Sequence, residues 1–495
     1  MPKLTLKELH ALIDQAHTPL SLPGINLSKA DLTGINLAEA NLVDVNFKKA
    51  NLRQANLTRT DLARANLSNT FLEKAVFEQA QLSHANLKRA NLRGANLERA
   101  KLTQADLRDA TLRWAYLLGA NLYQANLSNA HLGKAILNQA NLSGANLYNA
   151  DLSGGILEQA NLTGADLNRA NLTEAILIEA NLAGADMTGA DLSGGNLQGA
   201  SLLRSILIRA TLVKANLTQA KLDGTTLRWA NLSQANLSQA SLIAADLLEA
   251  NLHGANLTKA VMQQTNLERA TLTGADLEQA DLRGAILDGC QLSGANLTNA
   301  QLTQATMRGA VFVGADLPEA NLEGASLLEA NLYQASLFKA NLKQANLNEV
   351  SLLEADLRQA DLSNTELGWS TLVQANLSEA KLRQAQMPEA NLHQANLTKA
   401  QLLEANLTEA NLSAANLSGA VLYKTNLQGA DLSGANLQYT DLSMADLSDT
   451  LLFDLDLSQA YFRRTILEGA KYNSRTKWPP NITPETAGAI FQRNR

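Results

Sequence analysis

The side chains of this 495-residue chain that could do chemistry are six histidines, one cysteine and a recurring aspartate. His10, His17, His84, His131, His253 and His393 are scattered, and no HExxH or CxxC pair occurs. The spacings that hold a catalytic zinc or a redox dithiol are therefore missing, as is the GxxxxGK[ST] loop that cradles phosphates. Cys290 stands alone and reads as a small buried hydrophobe. Asp166, Asp186, Asp191 and Asp276 recur in one slot and suggest cation binding, but asparagine is about twice as frequent there. Both types hydrogen-bond readily to nearby backbone, so the slot reads as structural. No catalytic residue, metal ligand or cofactor is expected.

What must position these residues is a frame of five. Every fifth residue from Leu27 to Leu467 is Leu, Phe or Met, 89 positions without a break. Ala usually stands two places before, Asn or Asp one place before, and two small or polar residues follow, as in Ala85-Asn86-Leu87-Lys88-Arg89. On an α-helix, five steps of about 100° would spiral the leucines round every face. On a flat strand an odd spacing would send alternate leucines to opposite sides. A chain that turns a corner every five residues instead points each Leu and its Ala at a common axis. No loop interrupts the frame, which leaves no insertion on which to build an active site.

The outward residues indicate the number of sides. Val76, Tyr116, Ile136, Ile156 and Ile176 precede Leu positions at multiples of twenty from one another, and Val313, Tyr333, Leu353 and Val373 follow Leu positions at that same spacing. Four five-residue sides per coil make each series a column up one face. Trp114, Leu118 and Ile178 are expected to join the first column, and His393 extends the second. A third cluster, Leu203, Ile206, Ile208, Ile243 and Leu248, lies near Arg204, Arg209, Arg228 and Trp229. Contiguous exposed apolar surface marks contact sites, and Tyr, Trp and Arg are enriched where binding energy concentrates. The two columns are the candidate protein-binding residues.

The A(N/D)LXX unit resembles the pentapeptide repeat family over residues 25–470. The resemblance implies an all-β solenoid, a right-handed quadrilateral β-helix. About 22 four-sided coils at a rise of about 4.8 Å would extend roughly 105 Å. It also implies an alternative function, since some members look like duplex DNA in width and charge and bind type II topoisomerases.

Residues 1–24 and 471–495 flank the repeats and are expected to cap the open ends. Thr5 and Glu8 form a capping box for a helix with an apolar stripe at Leu6, Leu9, Leu12, Ile13 and Ala16. Thr483, with Pro484 at the first helical position, is expected to start a second short α-helix whose Ala487, Ile490 and Phe491 close the last coil. The tail also resembles those of pentapeptide proteins from photosynthetic bacteria.

Net charge is −6, but it is unevenly spread. Residues 45–115 hold 13 Lys and Arg against 6 Asp and Glu, and residues 316–460 hold 7 against 19. The asymmetry reads either as an ordinary solvated surface or as steering of one or two charged partners or a head-to-tail contact between copies, while a homo-dimer is expected through the first apolar column. Mixed charge and few exposed aromatics in the basic segment argue against direct nucleic-acid binding. No apolar run is long enough for a membrane span, no signal-peptide pattern opens the chain, and a cytoplasmic location is expected. The reading is a non-enzymatic rigid rod that scaffolds other proteins.

Overall fold

The leucine frame folds as a four-sided coil, and its hydrogen bonds show why each slot holds the residue it does. The computed structural model describes residues 6–15 and 19–493. In the repeat at Asn86, that residue pairs in parallel with Asn66 in one neighbouring coil and Asp106 in the other. The twenty-residue step recurs within both halves of the repeats, which fixes four sides per coil. Asn86 N–H donates to Ala65 O at 2.9 Å, Leu87 N–H to Asp106 O at 2.7 Å and Arg89 N–H to Arg108 O at 2.9 Å. Ala90 N–H donates to Leu87 O at 2.9 Å and closes the corner. The remaining donor, Lys88 N–H, is taken by Asn86 Oδ1 at 3.1 Å. All five backbone donors of the repeat are satisfied, and the Asn or Asp slot supplies the one acceptor that the backbone lacks.

The Asn side chains also join coils. Asn66 Nδ2 donates to Asn46 Oδ1, and Asn46 Nδ2 to Asn26 Oδ1, at 3.2 and 3.1 Å. Aspartate accepts in the same ladder, as from Asn171 to Asp151 at 3.2 Å, but has no donor to pass on.

Each corner is a four-residue turn with its third residue at positive φ, as a type II turn requires. From Gly24 to Asp454 every fifth residue has φ between +52° and +71°. Most are not glycine, and each such residue costs on the order of 1–2 kcal/mol. That strain is offset by the interior. From Leu42 to Leu457 the Leu, Phe and Met of the frame are at most 1% exposed, and burying each contributes about 1.5–3 kcal/mol. Polar residues in the Ala slot are satisfied within the wall: Thr60 Oγ1 donates to Leu37 O at 2.9 Å and Cys290 Sγ to Leu267 O at 2.7 Å.

The chain divides into two compact units, Met1–Asn251 and Leu252–Arg495. The first carries α1 (Leu6–Gln15), with Leu9 fully buried and Leu12 exposed. Glu8 sits exposed on this helix. Thr5, its expected partner in the capping box, and Ala16 of the expected stripe lie outside the described residues.

The second unit ends in three parallel strands, β1 (Leu451–Leu452), β2 (Lys471–Tyr472) and β3 (Ile490–Phe491), in that order. Leu451 pairs with Lys471 and Lys471 with Ile490, so the last coil is one residue short. Here the expected α-helix is replaced by one 3-10 turn, Glu485–Ala487. Pro484 precedes the turn instead of opening a helix, and no side chain, Thr483 included, caps it. Gly488 at φ 90° ends the turn, and Ile490 N–H is drawn into a 2.7 Å bond to Ala470 O. Ile490 and Phe491 consequently lie along the sheet edge, half-exposed. An aromatic cluster covers this end: Tyr472 meets the Trp478 and Phe491 rings edge-on, both at 5.5 Å between centroids.

Candidate protein-docking faces

In the first unit, Tyr116, Ile136, Ile156 and Ile176 pair rung by rung in four successive coils. Val76 is in line with them, but Asn96 separates it from Tyr116. Tyr116 is 52% exposed and the three isoleucines are half-buried. Leu118 and Ile178 flank the stripe on the far side of their core leucines, with Asn138 and Glu158 on the rungs between. Asn138 Nδ2 donates to Glu158 Oε2 at 3.3 Å.

Trp114 does not join this face. It occupies a left-handed corner (φ 58°), and its ring stacks against the Arg93 guanidinium at 4.4 Å, on the adjoining side. The five-residue frame implies a corner in each repeat but does not say which slot holds it, so the sequence groups Trp114 with Tyr116, two residues on.

The stripe gives up a structural bond at every rung. With Tyr or Ile in place of Asn or Asp, the N–H groups of Leu118, Asn138, Glu158 and Ile178 lose their usual acceptor. No side chain among the described residues takes over. At three other slots the loss is repaired: Ser241, Thr306 and Glu366 lie where Asp223, Asp288 and Asn348 of the preceding coil reach up instead. Asp223 Oδ1 accepts from Ile243 N–H at 2.9 Å, Asp288 Oδ1 from Arg308 N–H at 2.9 Å and Asn348 Oδ1 from Gly368 N–H at 2.8 Å. Sequence reading missed these repairs; an Asx eighteen residues before the vacant slot accompanies all three but does not suffice, since Asn138 stands so before Ile156 and its buried Oδ1 has no partner among the described residues.

In the second unit Val313, Tyr333, Leu353 and Val373 form a half-buried column. Their backbone oxygens accept from successive corners, as in Gln334 N–H to Leu353 O at 3.0 Å. His393 continues the column, and its Nδ1 lies 2.8 Å from Ser413 Oγ. The third cluster leaves Ile206 and Ile243 exposed, while Arg209 stacks over Trp229 at 5.5 Å.

Many charges are engaged locally. In Asp106-Leu107-Arg108 the guanidinium folds back across the side in a two-pronged bond of 2.8 and 2.6 Å, and Asp281 with Arg283 repeats it. These arginine bonds hold the carboxyls of Asp106 and Asp281 below the ordinary aspartate value. Arg113 reaches two coils along to Asp151 at 3.2 Å, and a side chain at the intervening Gly133 would touch both partners. Burial pushes the Cys290 thiol up to about 12. Among the described residues no group of three His, Cys, Asp or Glu is placed to hold a metal ion. No described helix is long and apolar enough to cross a membrane.

Several known proteins share this repeat. HetL of the cyanobacterium Nostoc sp. strain PCC 7120, a pentapeptide repeat protein involved in regulating heterocyst differentiation, is 30% identical over 61% of this chain and 97% of its own, with a TM-score of 0.18. A pentapeptide repeat protein of the Arabidopsis thaliana thylakoid lumen is 33% identical over 20% of this chain and 70% of its own, with a TM-score of 0.20. QnrB1, a plasmid-mediated fluoroquinolone resistance protein, is 18% identical over 44% of this chain and 86% of its own, at a TM-score of 0.20. No curated protein matches the sequence. The model of pentapeptide repeats matches residues 22–413 and 415–469 in overlapping stretches. With nearly every coil so matched, the chain belongs to the pentapeptide repeat family.

Proposed function

We propose that this protein is a non-enzymatic scaffold whose stiff, flat β-helical faces dock other proteins. The observation that carries the reading is the stack of Tyr116, Ile136, Ile156 and Ile176, apolar over four successive rungs and still partly open to water. Each rung forgoes a backbone cap that an Asn would supply, so the apolar residues lower local satisfaction without adding to the core. A partner that covers the stripe accounts for that cost. The second column, Val313 to Val373, offers a comparable face in the other unit. An affinity pull-down of the intact protein from its native cell extract tests this, with Tyr116→Asp, Ile156→Asp and Leu353→Asp combined as control. A specific partner lost in the variant supports docking; identical recovery by both proteins would sink it.

A second reading is favoured by the acidic surface of the second unit: mimicry of duplex DNA toward a type II topoisomerase, as the family allows. Seven coils, about 34 Å at a rise of about 4.8 Å each, hold the net −12 of residues 316–460. That is about one charge per 3 Å, where duplex DNA carries one per about 1.7 Å. Charge density is thus about half that of the mimicked ligand, which places this reading second. Recovery of a topoisomerase that survives the apolar substitutions but is lost at high salt would promote it.

A further inference from the structure

The two units carry ridges of opposite charge at equal pitch. In the second unit the exposed corners Glu329, Glu349, Trp369, Glu389 and Glu409 form one column, each in the coil after the last. Among the described residues none of the four glutamates has a cation within ion-pair distance. Trp369, at the centre, is 58% exposed. The ridge borders the flat side that bears Tyr333, Leu353 and Val373. In the first unit the corners Lys29, Lys49 and Arg89 stand in another column, with Asn69 between the last two and Asp109 after them. Lys29 and Lys49 make no ion pair among the described residues, and Arg89 lies 3.5 Å from Asp109 in an exposed pair. The side that this ridge borders carries arginines laid over aromatic rings, Arg53 over Phe71 at 4.5 Å and Arg93 over Trp114 at 4.4 Å, and both rings are more than 40% exposed.

We propose that the basic face of one copy docks on the acidic face of another copy of this chain. Charge complementarity names the partner, and periodicity strengthens the case. Both ridges lie on a grid of one coil, about 4.8 Å, and each is interrupted once at its third rung, by Asn69 and by Trp369, so Lys29, Lys49 and Arg89 can face Glu329, Glu349 and Glu389 in step. An ordinary globular surface has no such pitch and would match only one or two. Behind the ridges, the arginine planes with Phe71 and Trp114 meet the Tyr333, Leu353 and Val373 stripe, and Arg and aromatic residues are the types that anchor interfaces. The inference rests on the reading of these flat sides as docking faces and adds who occupies them.

Charge exchange tests it on the full-length chain. One variant carries Lys49→Glu with Arg89→Glu, the other Glu349→Lys with Glu389→Lys. All four residues point outward from corners and leave the Leu and Ala interior untouched. By sedimentation velocity in about 0.05 M salt, where screening is weak, the natural protein self-associates. Each variant alone, now with like charges on both faces, associates at least about tenfold more weakly, and an equimolar mixture of the two recovers complexes. A natural protein that is monomeric across the accessible concentrations overturns the proposal. So does association that neither reversal weakens, or a mixture that stays apart although melting curves show both variants folded. Should a reversal unfold the chain, the neutral pairs Lys49→Gln with Arg89→Gln and Glu349→Gln with Glu389→Gln replace it, and undiminished association in both would be equally fatal. A chain that stays monomeric yet loses a different partner on Leu353→Asp would overturn self-docking alone and leave the docking face standing.

Discussion

At the scale of single residues, the slots of the repeat divide according to which backbone group they satisfy. Asn and Asp before Leu are kept by a geometric need, the N–H two residues on, as Asn141 shows toward Ser143 N–H at 3.1 Å. Replacing Asn141 by Ala should cost about 1–2 kcal/mol, read as a shift in the denaturant midpoint. Cys290 fills an Ala slot with its Sγ bonded to Leu267 O, in the manner of Thr60 toward Leu37 O. It should therefore resist thiol reagents in the native protein and label only on unfolding, and Cys290→Thr should leave stability nearly unchanged. Because burial raises this thiol to about 12 from 9.0, its contribution to stability is constant below pH 9 and is lost as pH climbs toward 12, where the unfolded chain gains by ionising. The aspartates run the other way. Asp106 and Asp281 sit below the ordinary 3.8, so they stabilise the fold above that value and lose the contribution as pH falls through their lowered values. Melting temperature should drop on acidification below about pH 4; an unchanged melt down to pH 2 would show that these arginine bonds add nothing.

At the scale of the element, the side and its corner, the sequence was legible in the core and less so at the edges. Burial requires a corner every five residues to bring each leucine to one axis, and the twenty-residue recurrence of Val76, Tyr116, Ile136, Ile156 and Ile176 makes four sides per coil the simplest reading. Trp114 was misplaced for a physical reason: the left-handed corner bends the chain between it and Tyr116, and that bend depends on φ, which Gln, Lys, Trp and Gly adopt alike here. The C-terminal turn was misjudged because a helix-opening Thr-Pro-Glu pattern is local, whereas the free edge at Ala470 and Tyr472 competes from a distance for the Ile490 N–H. Two substitutions probe this scale. Leu147→Ala should destabilise by about 2–5 kcal/mol, since the closed coil cannot collapse round the hole. Ile136→Asn with Ile156→Asn should do the reverse of an ordinary core change. Restored caps should hold or raise stability by about 1 kcal/mol while partner docking is lost, and a loss of stability in thermal melts would show that the stripe is structural packing after all.

At the scale of the whole molecule, stability accrues from neighbour to neighbour, as expected of a solenoid. Within each unit, successive coils bond at a step of twenty residues, and β3 covers the edge of β2 at the end of the second unit. Ile490→Pro removes the 2.7 Å bond to Ala470 O and should release that cover without melting the coils behind it. Concentration-dependent aggregation with an unchanged main melting transition is the expected signature of an uncovered edge. Association that remains at the level of the natural protein would show that the strand does not guard that edge.

The mismatch between a step of five and a coil of twenty bears on how such a chain can change length in evolution. Losing or gaining twenty residues within a unit removes or adds one whole coil and leaves every outward column in line. Losing five keeps the leucine frame intact, so the interior still closes, yet each later residue moves to the next side. Excising residues 121–125 would keep Tyr116 where it is and carry Ile136, Ile156 and Ile176 a quarter turn away from it. The interior thus accepts indels in multiples of five, whereas a surface that recognises a partner accepts them only in multiples of twenty.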